Sequence, residues 1–179
     1  EVDKIWREAD CIWTEHQIER AIETVSQQIE ADLAHKNPLV LVVMKGGLMF
    51  GARLLMRLRF ALEMDYIHVT RYGMETSGNE LLWKVLPQHP LEGWHLLVGD
   101  DILDEGQTLY KGRESCRSQK AATVQCAVLV DKKHDRKYDP DFKAHYTCLD
   151  VPDRFVFGYG MDYKGYLRNA DGIYAVKGL

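Results

Sequence analysis

Three apolar runs constrain the fold of this 179-residue chain more than any other feature. They span Leu39 to Met44, Trp94 to Asp100 and Val124 to Val130. Runs of this kind are typical of central strands that are buried on both faces, as in parallel sheets. Such strands need helices above and below them, so the runs predict an α/β fold.

Helical patterns separate the apolar runs. The first predicted helix extends from about Thr14 to His35, and Thr14 and Gln17 have the spacing of a capping box. Its apolar residues recur at steps of three and four and form one stripe, which consists of Ile18, Ile22, Val25, Ile29 and Leu33. Two further helices are predicted, one ending near Arg59 and one spanning about Gly106 to Gln119.

The remaining segments complete the predicted architecture. Further strands are predicted at Met64–Tyr72, Leu81–Leu86, Tyr146–Leu149 and Phe155–Phe157. The polar, glycine-containing stretch from Gly73 to Asn79 is predicted to be a mobile hairpin loop. The order of elements favours a mainly parallel central sheet flanked by helices on both sides. With neither a repeat nor a linker, residues 1–179 are predicted to form a single domain.

Composition excludes several classes of function. A formal net charge of −4 argues against a general nucleic-acid binder. We expect no membrane span, because no apolar run approaches roughly 20 residues. The polar start does not resemble a secretory signal. The widely spaced cysteines favour reduced structural thiols over a zinc site, and we expect a cytoplasmic protein.

Polar clusters follow three of the predicted strands. They are Lys45-Gly46-Gly47, the segment from Asp100 to Thr108, and Asp131-Lys132-Lys133. In an open parallel sheet, ligands bind beyond the carboxyl ends of the strands. The three clusters therefore outline a site for a charged ligand.

The segment from Asp100 to Thr108 is the most informative of these clusters. Gly106 permits a tight turn, and the free N–H groups of the following helix, with the Thr108 hydroxyl, suit a phosphate. The adjacent carboxylates of Asp100 and Asp101 suit a sugar with its hydrated Mg²⁺. The alternative is a solvated acidic loop in which Asp104 caps the helix.

Together these motifs resemble those of the type I phosphoribosyltransferases, whose signature is a hydrophobic strand leading into such an acidic loop. The segment from Val151 to Tyr163 is similar to the purine-binding hood of the hypoxanthine-guanine branch, and Lys45-Gly46-Gly47 and Lys132 match that branch in order and spacing. The resemblance covers about Leu39 to Arg168.

The resemblance implies a function in purine salvage. The reaction would be Mg²⁺-dependent transfer of the phosphoribosyl group of 5-phosphoribosyl-1-pyrophosphate (PRPP) to hypoxanthine or guanine, giving IMP or GMP and pyrophosphate. It also implies a small hood subdomain, formed by residues from about 150 to 179 and the N-terminal segment. A homodimer or homotetramer is implied as well.

Roles for individual residues follow from the resemblance. Asp104 is implied as the general base. The implied PRPP contacts are Lys45, Gly46, Asp100, Asp101, Asp104, Glu105, Gly106, Gln107, Thr108 and Arg168. The implied metal ligands are Asp162, Asp100 and Asp101. A cis peptide bond between Met44 and Lys45 is also expected.

The purine is expected to meet Lys132, Phe155 and Val156. Lys132 would donate a hydrogen bond to O6 and so favour a 6-oxopurine over adenine. Phe155 would stack on the base, and the backbone of Val156 would recognise its pyrimidine edge. Lys133 is expected to be solvated.

The chain departs from the family pattern at two places. Glu105 stands where a small hydroxyl residue is usual, so we expect its side chain to turn outward. Arg71-Tyr72 replaces the common Ser-Tyr in the predicted lid, where Arg71 would add a cation. Arg154 is an alternative to Arg168 at the pyrophosphate. Two alternative functions remain open, namely a non-catalytic PRPP- or nucleotide-sensing regulator and a xanthine-preferring enzyme.

Overall fold

The computed structural model describes residues 1–71 and 81–179. Its helices are α1 (Val2–Glu8), α2 (Glu15–Leu33), α3 (Leu48–Arg57) and α4 (Gln107–Ser118). Its strands are β1 (Asp10–Trp13), β2 (Leu39–Val43), β3 (Glu63–Arg71), β4 (Leu81–Val85), β5 (His95–Leu103), β6 (Thr123–Lys132), β7 (Tyr146–Val151), β8 (Val156–Phe157) and β9 (Ile173–Ala175). The predicted α/β class is confirmed.

A six-stranded sheet forms the centre of the molecule, in the order β4-β3-β2-β5-β6-β7. All neighbouring strands are parallel except β4, which pairs with β3 in the antiparallel sense. The three apolar runs became β2, β5 and β6, which are adjacent to one another. Their carboxyl ends therefore lie at one edge of the sheet.

Helices cover both faces of this sheet, as predicted. The apolar stripe of α2 is buried together with α3 against one face, and α4 packs on the other through Leu109 and Cys116. The predicted capping box of α2 is present, since the backbone N–H of Gln17 donates to Oγ1 of Thr14 and the backbone N–H of Thr14 donates to Oε1 of Gln17.

A second, three-stranded antiparallel sheet has the order β1-β9-β8. It joins the two ends of the chain, because Asp10 pairs with Ala175 and Val156 pairs with the same residue from the other side. Val156 and Ile173 of this sheet belong to the main apolar core. The second sheet is therefore packed firmly on the first.

Two elements near the start of the chain were not predicted from the sequence. The span of α1 contains no buried residue, and β1 is exposed over its first half. Because β1 forms by pairing with β9, its conformation depends on residues far away in the chain. Local periodicity carries no signal of such pairing.

The predicted lid falls largely outside the described residues. Tyr72 and the predicted loop from Gly73 to Asn79 are among the residues that the structure does not describe. Arg71 is the last residue of β3, and its backbone lies opposite Leu81 of β4. The role of Arg71 and Tyr72 in a lid stays a prediction. Among residues 1–71 and 81–179, no helix has the length and apolar character needed to cross a membrane.

Asp65, a residue of β3, holds the segment that follows β4. Its carboxylate accepts hydrogen bonds from the backbone N–H groups of Tyr66 (2.7 Å), Gln88 (2.6 Å) and His89 (3.0 Å), and Nδ1 of His89 lies 2.9 Å away. Burial alone would raise the pKa of Asp65, but these hydrogen bonds hold it below its ordinary value. Asp65 therefore stabilises the fold as a carboxylate.

We expect Asp65→Asn to lower the free energy of unfolding at pH 7 by about 1–3 kcal/mol, because an amide cannot accept all of these bonds. A lowered pKa in the folded state means that the contribution is complete above the unfolded pKa of about 3.9 and is lost as the pH falls further. The hydrogen bond with Asp65 raises the pKa of His89, so the comparison is made below the range in which His89 titrates. Urea unfolding from about pH 5 to pH 3 should show the difference becoming smaller. Glu63→Gln is the control, since Glu63 is 57% exposed and also faces His89; an equal loss in this variant would contradict the assignment.

Candidate active site

The three polar clusters predicted from the sequence meet at the carboxyl edge of β2, β5 and β6. Gly46 follows β2 and lies against Asp101, while Lys132 at the end of β6 lies beside Asp104. Leu103 stands opposite Asp131 in the pairing of β5 with β6. Strand order therefore brings together side chains that are far apart in the sequence.

The loop between β5 and α4 forms the first of two cavities at this edge. Gly106 has a φ of +85° and is the residue before α4, whose first-turn N–H groups have no partners within the helix. The cavity measures about 270 Å³ and is lined by Asp100, Ile102, Asp104, Glu105, Gly106, Gln107, Thr108 and Leu109. Backbone donors around a glycine turn favour an anionic group such as a phosphate.

The geometry of this loop tests the alternative interpretation of Asp104. The interpretation of Asp104 as a helix cap is wrong, because Gly106 occupies the cap position and no side chain caps α4. The carbonyl of Glu105 accepts a hydrogen bond from the backbone N–H of Tyr138 (2.8 Å). Its side chain is exposed, but Glu105 also lines the cavity, so an outward orientation of the carboxylate stays a prediction.

Asp100 and Asp101 lie side by side at the end of β5. Burial, followed by the charge of the neighbouring Asp101, raises the pKa of Asp100 well above its usual range. Burial also raises the pKa of Asp101, although the charge of Arg168 opposes this shift. The pair therefore keeps a proton more readily than ordinary carboxyl groups do, and a cation placed beside it would favour the ionised form.

The loop after β2 approaches this pair very closely. A Cβ atom on Gly46 would stand 2.1 Å from Oδ2 of Asp101, so any other residue would collide with the carboxylate. The Met44–Lys45 peptide bond is cis, which confirms the expectation. Lys45 is exposed at this edge.

Arg168 lies against the turn that contains Gly160 and Asp162. Its Nη1 donates to the carbonyl of Gly160 (2.6 Å), and its Nη2 lies 3.7 Å from Oδ1 of Asp162. Arg154, the alternative at the pyrophosphate, instead binds Oδ2 of Asp10 (2.7 Å) and the carbonyls of Val176 and Leu179. The geometry thus favours Arg168 over Arg154.

A second cavity of about 180 Å³ adjoins the first. It is lined by Asp101, Ile102, Asp104, Lys132, Phe155, Val156, Met161 and Asp162. The ring of Phe155 is 43% exposed and meets Tyr163 edge-on, with the ring centroids 5.7 Å apart. An exposed aromatic face beside a cationic side chain suits a flat, polar ligand.

Asp104 lies between the two cavities and lines both. Its side chain is 44% exposed, and Oδ2 lies 3.4 Å from Nζ of Lys132, whose side chain is 12% exposed. On the other side, Oδ1 accepts a hydrogen bond from Nε2 of His134 (2.7 Å), and the His134 side chain is 1% exposed. His134 was not among the predicted site residues, although it follows Lys132 by only two positions.

Lys137, also not predicted, holds the two loops together. Its Nζ lies within hydrogen-bonding distance of the carbonyls of Leu103 (2.9 Å), Asp104 (2.6 Å) and Lys132 (2.8 Å), and of Oδ1 of Asp131 (2.8 Å). Partial burial would raise the pKa of Asp131, but hydrogen bonds from Lys133 and Lys137 hold it below its ordinary value. Lys137 therefore fixes the spacing between Asp104 and Lys132.

Comparison with known proteins agrees with this arrangement. A family model described as a phosphoribosyl transferase domain matches residues 9–164. The hypoxanthine-guanine phosphoribosyltransferase of Streptococcus pneumoniae is 35% identical over 162 residues, which cover 90% of this chain and 89% of that protein.

Solved structures are similar over nearly the whole chain. A hypoxanthine phosphoribosyltransferase from Staphylococcus aureus has a TM-score of 0.87 at 32% identity, covering 94% of this chain and 91% of that one. The hypoxanthine phosphoribosyltransferase of Trypanosoma cruzi, solved in complex with the product IMP, has a TM-score of 0.87 at 31% identity and covers 96% and 95%.

A parallel sheet with an acidic loop and a cavity at its carboxyl edge, together with a second small sheet, is the arrangement of the phosphoribosyltransferase class. The chain belongs to the type I phosphoribosyltransferase family, in its hypoxanthine-guanine branch. The resemblance predicted from the sequence is thereby confirmed.

We expect Lys137→Met to lower the free energy of unfolding by about 2–3 kcal/mol, because it leaves several partly buried oxygens without a charged donor. Urea unfolding at pH 7 measures the change. Lys133→Met is the matched control: Lys133 also pairs with Asp131 (2.8 Å) but is 58% exposed, as its predicted solvation requires, so its loss should be below about 1 kcal/mol. Equal losses would show that Lys137 is an ordinary surface cation.

Proposed function

We propose that this protein transfers the 5-phosphoribosyl group of PRPP to hypoxanthine or guanine, yielding IMP or GMP and pyrophosphate. The proposal rests on the position of Asp104. This residue lines both the cavity at the Gly106 turn and the cavity that contains the exposed ring of Phe155. A nucleotide spanning the two cavities places its glycosidic bond beside this carboxylate.

The first cavity is the proposed site of the ribose 5-phosphate. The 5′-phosphate is held by the turn at Gly106, the Thr108 hydroxyl and the backbone from Asp104 to Thr108, because these groups offer hydrogen-bond donors at the start of a helix. The side chains of Asp100 and Asp101 hold the ribose hydroxyls. The departing pyrophosphate carries negative charge, which Lys45 and Arg168 offset. The backbone at Gly46 contacts the same group.

The second cavity is the proposed site of the base, and the second sheet with its adjoining turns is the proposed hood. Phe155 stacks on the purine and the backbone at Val156 meets its pyrimidine edge. Lys132 donates to O6, and lysine has no acceptor to offer in return. A 6-amino group offers Lys132 no acceptor, so with such a base Lys132 has no reason to leave Oδ2 of Asp104.

The chemistry requires one proton transfer. One nitrogen of the imidazole edge forms a bond to C1′ of the ribose while the bond from C1′ to pyrophosphate breaks, and pyrophosphate leaves with that electron pair. The base then loses the proton from its other imidazole nitrogen to Asp104, and the electron pair of that N–H bond stays on the ring. The second sheet excludes water from a ribose that bears positive charge in the transition state.

Mg²⁺ is the proposed cofactor. The described residues contain no group of three or more His, Cys, Asp or Glu side chains able to form a metal cage. Magnesium fits this donor set, because it is commonly held by one or two carboxylates together with waters and substrate phosphates. Asp100, Asp101 and Asp162 would hold it through the substrate, and the ion would neutralise the departing pyrophosphate.

We further propose that the protein is a cytoplasmic homodimer or homotetramer. Exposed apolar side chains on α3 and β3, including Met56 and Met64, support a subunit contact. A non-catalytic sensor is less well supported, because Asp104, Lys132 and Phe155 all line the same cavity.

We expect kcat/KM with hypoxanthine or guanine to exceed that with adenine by roughly 10⁴-fold, because the 6-amino group of adenine cannot accept the hydrogen bond from Lys132. Purified protein, PRPP and Mg²⁺ are mixed with each purine, xanthine included, and nucleotide formation is followed. Comparable turnover of adenine would disprove the role of Lys132, and turnover of xanthine alone would identify a xanthine enzyme.

We expect Asp104→Asn to lower kcat by roughly 10²–10⁴-fold with little change in the KM for PRPP, since the amide keeps the shape but accepts no proton. Steady-state kinetics with hypoxanthine measures both constants. Asp135→Asn is the control, because Asp135 is an exposed carboxylate in the same region. A kcat near the wild-type value would mean that Asp104 takes no part in proton transfer.

A further inference from the structure

We infer that His134 is a positioning residue for Asp104, which fixes the carboxylate so that Oδ2 is the oxygen that receives the proton of the purine. This inference rests on the proposed function. It starts from the hydrogen bond between Nε2 of His134 and Oδ1 of Asp104, at 2.7 Å. The imidazole is 1% exposed, whereas the carboxylate that it contacts opens into both cavities.

The second ring nitrogen determines which way this hydrogen bond runs. Nδ1 of His134 accepts a hydrogen bond from the backbone N–H of Arg136 at 3.0 Å. A nitrogen that accepts carries no proton, so the ring proton resides on Nε2. His134 is thus a neutral donor to Asp104, and its tautomer is set by the backbone of its own loop.

The two oxygens of Asp104 consequently have different surroundings. Oδ1 accepts the hydrogen bond from the buried ring of His134, which is itself held by the backbone N–H of Arg136. Oδ2 faces Lys132, whose Nζ lies 3.4 Å away and lines the base cavity with it. When Lys132 turns to the O6 atom of a bound purine, Oδ2 is left as the free acceptor, and the proton of the base goes there.

The other charged groups around His134 do not replace this contact. Arg136 directs its guanidinium to Asp153, through bonds of 2.7 and 2.8 Å, and Lys137 binds the backbone carbonyl of Asp104 and not its side chain. A carboxylate that has lost the His134 bond can rotate about its side-chain bonds, and a misplacement of about 1 Å costs roughly 10²-fold in rate.

Two substitutions separate positioning from simple packing. His134→Gln places an amide N–H near the position of Nε2 and retains the bond to Asp104. His134→Asn is the matched control, because its shorter amide reaches the position of Nδ1 and ends short of the carboxylate. Steady-state kinetics with hypoxanthine and PRPP, together with thermal unfolding, is measured for both variants and the wild type.

We expect His134→Gln to keep kcat within about threefold of the wild type, and His134→Asn to lower it by roughly 10- to 100-fold with the KM for PRPP unchanged within about twofold. Wild-type kcat in the Asn variant would overturn the inference. So would an equal fall in both variants, because equal falls indicate packing alone.

Nitrogen NMR provides a test that does not depend on activity or on the folding of the Asn variant. In ¹⁵N-labelled wild-type protein, the ring signals that are missing from His134→Gln should report a neutral imidazole protonated at Nε2. Protonation at Nδ1 instead would overturn the inference even in an active enzyme. Absence of transferase activity in the wild type with the Nε2 tautomer present would refute the proposed function and leave the geometry intact.

Discussion

The parallel pairing of β2, β5 and β6 is the constraint on which the rest of the molecule depends. Each of these strands is buried along most of its length, so its register is fixed by packing on both faces. A shift of one residue would turn apolar side chains from one layer of helices to the other. The fixed register also fixes the positions of the loops at the carboxyl edge. Carboxylates and cations from separate segments therefore lie at hydrogen-bonding distances.

Two acidic side chains at this edge are costly to ionise. Burial raises the pKa of both Asp100 and Asp101, so keeping both as carboxylates costs free energy. Lys137 stabilises the same region, because its ammonium group donates hydrogen bonds to backbone carbonyls of both loops. The edge thus combines a pair of buried acidic groups with an ammonium group that connects the neighbouring loops.

The sequence predicted the central sheet, and the edge at which the three polar clusters meet, because their signals are local. Apolar runs, the stripe of α2 and the glycine turn at Gly106 each lie within one continuous segment. His134 and Lys137 were missed, since a histidine and a lysine in a polar loop look solvated until the fold of residues 131–137 is known. The strand β1 was missed for the same reason, because its partner lies at the other end of the chain. The roles of the individual site residues stay predictions that the experiments above address.

The sheet that joins both ends of the chain has a consequence for biosynthesis. Asp10 pairs with Ala175, so this sheet cannot close until almost the whole described chain has left the ribosome. The strands β2 to β6, in contrast, are all translated before the last quarter of the chain. The nascent protein therefore completes the loop around Gly106 first and the surface around Phe155 last, and pairing across such a long separation is slow relative to local folding.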